Sequence, residues 1–220
     1  MTLDVRGSLK NTKPSSNPYV VFEELISNAI DSFLIRKYAD SSAGSALINI
    51  EVVFSRANLL DEQEDMALVC KDNGCGIGDD QLLAFLTKDT SYKDDLPITG
   101  IGACKGAGRI QFFHHYSSLN ISSTYRTDSN VLKREMQYSE PQKQIKESDF
   151  SSGPGEEDEI GATFRLEGLK ESIRNQILQG QPPSSVFSSS ALKKQILVAF
   201  IQRLVSLQSR LGDFEINFTT

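Results

Sequence analysis

Residues Tyr19 to Tyr38 constrain the fold more than any other stretch of the chain, because they carry apolar side chains at almost every angle of a helix. Asn17-Pro18 supplies the start signal. At ~100° per residue, Val21, Phe22, Leu25, Ile26, Ala29, Ile30 and Phe33 fill most of the circumference. A helix apolar nearly all round must be enclosed by other elements. One narrow polar stripe remains. Glu24, Asn28 and Asp31, spaced i, i+4, i+7, fall within an arc of roughly 60°. Such a stripe reads as a solvent face or as chemistry. Solvent faces usually mix Lys and Arg with Glu, and here no basic residue follows until Arg36. An amide oxygen can bind a hard cation such as Mg²⁺. A carboxylate one turn earlier can orient and deprotonate a water attacking a phosphate beside that cation.

Two further groups of residues carry chemistry. The β-branched run Leu47 to Phe54 and the run Met66 to Lys71 read as strands, and the second delivers Asp72-Asn73-Gly74-Cys75-Gly76-Ile77 at its end. Asn73-Gly74 alone is a hairpin signal, but the next segment, Asp79 to Leu86, reads as a helix. Gly74 and Gly76 let the backbone approach a flat ligand closely, and Asp72 can accept a hydrogen bond from an exocyclic amine such as that of adenine. Thr87 to Thr99 is polar and reads as a mobile loop. The glycine-dense run Gly100 to Gly108 then opens a helix over Arg109 to Tyr116. Backbone amides at a helix start attract phosphate, with Lys105 and Arg109 adding charge. The run lacks the Gly-Lys-Ser/Thr order of a P-loop and follows no strand, which excludes the P-loop and Rossmann readings.

The remainder frames these groups. Residues 1–17 read as a loose lead-in. Leu119 to Arg126, Val131 to Tyr138 and Ile160 to Leu166 read as strands, and Ser151 to Glu159 as a solvated turn with an acidic run. Gln181 to Ser190 reads as a linker. Ala191 to Leu211 is an amphipathic helix whose repeat includes Arg203 among leucines, and Phe214 to Phe218 reads as a strand. A strand so placed, with no evident sheet, suggests that 181–220 is a linker, helix and strand beginning a following domain or a truncated region after a body at 18–180. Lys+Arg is 23 against Asp+Glu 29, a net charge of −6. That balance provides no general field for nucleic acid or an anionic membrane. No stretch approaches the ~18 apolar residues of a membrane helix, and the polar N-terminus lacks a signal core. These features predict a cytoplasmic protein. Cys70, Cys75 and Cys104 are an odd number at spacings that suit neither a disulfide framework nor a zinc knuckle, and they read as small core residues.

In this order the groups resemble the GHKL superfamily, which includes heat-shock ATPase chaperones, gyrase-type topoisomerases, mismatch-repair ATPases and sensor histidine kinases. Glu24-Leu25-Ile26-Ser27-Asn28-Ala29-Ile30-Asp31 resembles the family's N-box, Asp72 to Ile77 its adenine box and Gly102 to Arg109 its lid and phosphate box. Gly161-Ala162-Thr163-Phe164 resembles its late Gly-Thr strand, with alanine where the family usually has glycine before the threonine. The resemblance implies a Bergerat fold, an α+β two-layer sandwich whose mixed, mostly antiparallel sheet is covered on one face by helices. It also implies ATP and Mg²⁺ as ligands. Glu24 would be the general base and Asn28 the Mg²⁺ ligand, while Asp31 would support the adenine side. Asp72 would bind the adenine amine, Gly76 and Ile77 would line its pocket, and Gly74 and Leu86 are further nucleotide-binding candidates. Gly102, Lys105, Gly106, Ala107, Gly108 and Arg109 would hold phosphates, and Thr163 would bond to Asp72 or to a water beside it.

The function so implied is ATP hydrolysis coupled to closure of a lid over Thr87 to Gly108, driving a nucleotide-dependent homodimer or a downstream domain. Histidine-kinase phosphotransfer is a second reading, opposed by Glu24. A nucleotide-gated binding module without turnover is a third, and it would not need Glu24.

Overall fold

A computed structural model describes residues 1–56, 63–88, 90–102 and 108–220. Among them, β2 (Leu47–Arg56), β3 (Glu64–Asp72), β4 (Tyr116–Arg126), β5 (Val131–Ser139), β7 (Phe150–Pro154), β8 (Gly161–Leu169) and β9 (Glu215–Thr219) form one sheet, in the order β7-β5-β4-β8-β3-β2-β9. All neighbours are antiparallel except β2 and β9. A second, two-stranded sheet pairs β1 (Thr2–Asp4) with β6 (Gln144–Lys146). With seven α-helices among the described residues, this is an α+β sandwich.

The alternation of side chains across the strands sets which face is covered. On β2, Ile48, Ile50 and Val52 point inward, while Asn49 and Glu51 lie on the other face. On β3, Met66, Leu68 and Cys70 point inward, and the register sets Cys70 against Ile50 and Asp72 against Ile48. Asp72 therefore occupies an inward position, at the point where an apolar strand face would otherwise continue.

The helix α2 (Val20–Ala39) packs on this face. Val21, Phe22, Leu25, Ile26, Ala29, Ile30, Phe33 and Leu34 are all buried, each contributing about 1.5–3 kcal/mol by its removal from water, or less for alanine. The helix α3 (Asp79–Leu86) has the predicted boundaries. The helix α4 (Ile110–His115) ends one residue early, because Tyr116 already belongs to β4.

Two expectations about organisation do not hold. The segment 1–17 is not a loose lead-in. Leu3 and Val5 are buried, β1 pairs with β6, and Asp4 caps α1 (Val5–Asn11) by accepting the Gly7 amide at 3.0 Å. Nor does 181–220 begin a separate body. The helix α7 (Ser189–Leu211) buries Leu192, Ile196, Phe200, Leu204, Leu207 and Leu211 in the same core as α2. β9 finds its sheet in β2, with Ile48 opposite Ile216. A parallel partner requires a crossover, and α7 immediately precedes the strand. Short helices α5 (Glu171–Gln176) and α6 (Pro183–Val186) fill the approach to α7. Ser151 to Pro154, expected in a turn, belongs to edge strand β7, while Glu156 to Glu159 is exposed as expected. No helix among the described residues is long and apolar enough to cross a membrane.

Candidate functional site

The polar stripe of α2 faces a cavity. Glu24, Asn28 and Asp31 line one wall of a space of about 360 Å³, within the range of small-molecule sites. Asp72, Gly76 and Ile77 line the end of the space reached from β3, Phe85 comes from α3, and Gly108 and Arg109 border it before α4. Three segments distant in sequence thus meet at one site, and the solvent-face reading of the stripe fails.

The Asp72 loop is held from several sides. Asp72 Oδ1 accepts the Gly74 amide at 2.8 Å. Burial raises its pKa from the ordinary 3.8 to about 7, with the Gly74 and Ala162 amides pulling the other way. Gly76 has φ +73°, and a Cβ there would overlap the Thr124 carbonyl oxygen; both facts select glycine. Gly74 does not line the cavity, but it allows close approach, because a Cβ would overlap the Ser32 hydroxyl. Asn73 closes the loop onto the start of β2: its Oδ1 accepts the Leu47 amide at 2.8 Å and its Nδ2 donates to the Ser45 carbonyl at 2.9 Å. The Arg36 Nη1 donates to the Asn73 carbonyl at 2.8 Å.

Thr163 does not join the site. The register places Ala162 opposite Asp72, and Thr163 opposite Lys71 and Ser122 on the other face. Ala162 and Phe164 line the cavity instead. The nearby hydroxyl is that of Ser123, which accepts the Ile77 amide at 2.7 Å and donates to the Gly161 carbonyl at 3.0 Å. Leu86 is a core residue rather than a cavity wall. Lys105, Gly106, Ala107 and Cys104 lie outside the described residues.

Asp31 lines the cavity with its carboxylate already engaged by protein partners. It is 2% exposed, and its oxygens are engaged by charges that sequence reasoning missed. Oδ2 takes the Lys93 ammonium at 2.6 Å, while Oδ1 accepts the Gly102 amide at 3.0 Å and pairs with Arg203 of α7. Gly102 is therefore a partner of Asp31 rather than a cavity wall. The Lys93 Nζ also donates to Asn28 Oδ1 at 2.6 Å. The described residues of the Thr87 to Thr99 segment, expected as a mobile loop, are thus docked at the site: the Gln81 amide donates to the Tyr92 hydroxyl at 2.7 Å, and Arg109 donates to the Thr87 carbonyl at 2.5 Å. Arg203 had a visible signal, a guanidinium within an apolar helical repeat. Lys93 had none, being one charge in a polar loop.

Gly108 lies directly against Glu24, so that a Cβ on Gly108 would overlap the Glu24 carboxylate. The glycine-led segment and the α2 carboxylate are therefore in contact. Elsewhere, Arg134 supports the loop from β5, donating to the Ile77 carbonyl at 2.7 Å and pairing with Asp79 at 2.8 Å. Cys75 borders the cavity with its thiol pushed up to about 11 by burial, and Cys70 is buried. Neither His114 nor His115 lines the cavity. His115 is held near 4 by burial and bonds through Nδ1 to the Gln111 carbonyl at 2.8 Å.

The arrangement offers a buried carboxylate beside apolar walls at one end. At the other it offers a carboxylate and an amide oxygen one helical turn apart, with cations close by. No protein-family model matches the chain, and no curated protein matches it in sequence.

Proposed function

We propose that this chain binds ATP and hydrolyses it with Mg²⁺, as a GHKL-type ATPase whose nucleotide state moves the segment after α3. The observation that carries the reading is the convergence of Glu24, Asn28 and Asp72 on one cavity, with Gly108 against Glu24. Asp72 suits an adenine amine, since a buried carboxylate with unused acceptor capacity gains most from a new donor. Ile77, Phe85 and Phe164 offer apolar surface to a flat ring. The phosphates would then extend toward Gly108, Arg109 and Glu24.

The residues fit a divalent cation. Asn28 Oδ1 and Asp31 Oδ2 already hold an ammonium between them, each at 2.6 Å, so their oxygens are set to receive positive charge. Mg²⁺ usually takes one or two protein oxygens and completes its shell with phosphate and water. Asn28 would be its protein ligand. When bound, the ion neutralises charge on the transferred phosphoryl group. Glu24 would accept a proton from the attacking water as its oxygen bonds to the γ-phosphorus. The bond from that phosphorus to the β–γ bridging oxygen breaks, and ADP leaves. Movement of the lid would in turn control dimerisation or a downstream domain.

Calorimetric titration of ATP with Mg²⁺ tests the reading. Wild type should bind, and Asp72→Asn should lose binding, because an amide presents a donor where the base needs an acceptor. Equal affinities in the two proteins would reject the adenine assignment.

A further inference from the structure

The two cations on Asp31 are held differently. Arg203 is built in: it sits on the 23-residue α7, and its guanidinium also donates to Ser27 Oγ at 2.9 Å and to the Gly100 carbonyl at 3.2 Å. Lys93 comes from a segment, 90–102, with no helix or strand, and its side chain is 21% exposed. A lysine ammonium is a compact point charge on a flexible stem, and its two acceptors are Asn28 Oδ1 and Asp31 Oδ2.

We propose that Lys93 is a tethered cation that latches segment 90–102 over Asn28 and Asp31 in the nucleotide-free protein and competes there with the divalent cation that accompanies the nucleotide. The inference rests on the site being an ATP–Mg²⁺ site. Two positive groups cannot share Asn28 Oδ1, so entry of the metal requires withdrawal of the ammonium. Withdrawal does not strand Asp31, because Arg203 remains on its other oxygen. A buried charge that keeps one partner escapes most of the penalty of losing the other. Loss of Lys93 also loosens the carboxylate that accepts the Gly102 amide. Arg210 would still hold the Thr99 carbonyl, at 3.0 Å, and Arg203 the Gly100 carbonyl, at 3.2 Å, so opening would be a local displacement of the described residues 90–98 about those points.

The test uses the full chain as wild type, Lys93→Met and Lys93→Arg. The first readout is the Mg²⁺ concentration that half-saturates ADP binding. Lys93→Met should lower it roughly tenfold, the shift expected when one charge-assisted hydrogen bond no longer opposes the metal, while Lys93→Arg stays near wild type. The second readout needs no nucleotide: hydrogen exchange of the Gly102 amide in the ligand-free protein should speed up in Lys93→Met and not in Lys93→Arg. If wild type binds ADP and Lys93→Met has the same Mg²⁺ midpoint, the competition is overturned. If wild type binds no ADP at any Mg²⁺ concentration, the ATP reading fails. The exchange experiment then judges the latch alone, and equal Gly102 rates overturn it.

Discussion

Raising the pH should destabilise the ligand-free protein through Asp72. Its carboxyl is buried, and its pKa stands at about 7 in the fold against 3.8 ordinarily. The protonated form is thus favoured by folding. Its contribution is fully present below the unfolded value and is lost as the pH rises through 7. Three pKa units at about 1.36 kcal/mol each set a ceiling of roughly 4 kcal/mol. Between pH 5 and 8 the loss should amount to roughly 2–3 kcal/mol. Urea unfolding of wild type and Asp72→Asn at pH 5, 6, 7 and 8 isolates the effect, because the other titrating groups are common to both. The variant should gain on wild type by that amount across the range. Parallel stability profiles would refute the argument. An adenine amine binds the carboxylate form, so ATP affinity should move the opposite way, weakening as the pH falls below 7 in wild type.

Two other substitutions probe the frame of the site. Gly76→Ala combines a left-handed φ of +73° with overlap of the Thr124 carbonyl, and should cost about 2 kcal/mol or more in urea unfolding; a loss below ~0.5 kcal/mol would mean the loop yields freely. Arg203→Met removes the fixed partner of Asp31 and should cost about 1–3 kcal/mol, seen as a lowered Tm, and an unchanged Tm would show that Lys93 alone satisfies the carboxylate.

How far the sequence foretold the site depended on how local the determinants are. Glu24, Asn28 and Asp31 lie on one helix and Asp72 to Ile77 in one loop, so periodicity and glycine spacing place them on one face or one turn. The face of β8 was also readable: Ala162, Phe164 and Leu166 alternate with Thr163, Arg165 and Glu167, and an apolar-inward phase turns Thr163 away from Asp72. Strand pairing with β3 and β4 makes that phase binding. The role of Asp31 was not readable, because its partners lie 62 and 172 residues away. The place of residues 181–220 had the same difficulty, since β9 pairs with a strand 168 positions earlier. Three-residue β1 is too short for alternation to announce it.

The central claim, hydrolysis of ATP with Glu24 as base, is tested most directly by Mg²⁺-dependent phosphate release from wild type and Glu24→Gln at saturating ATP, with binding measured alongside. The account predicts a fall of about 10²–10⁴ in the variant's turnover with ATP affinity changed by no more than a few-fold. Equal turnover in the two proteins would contradict it.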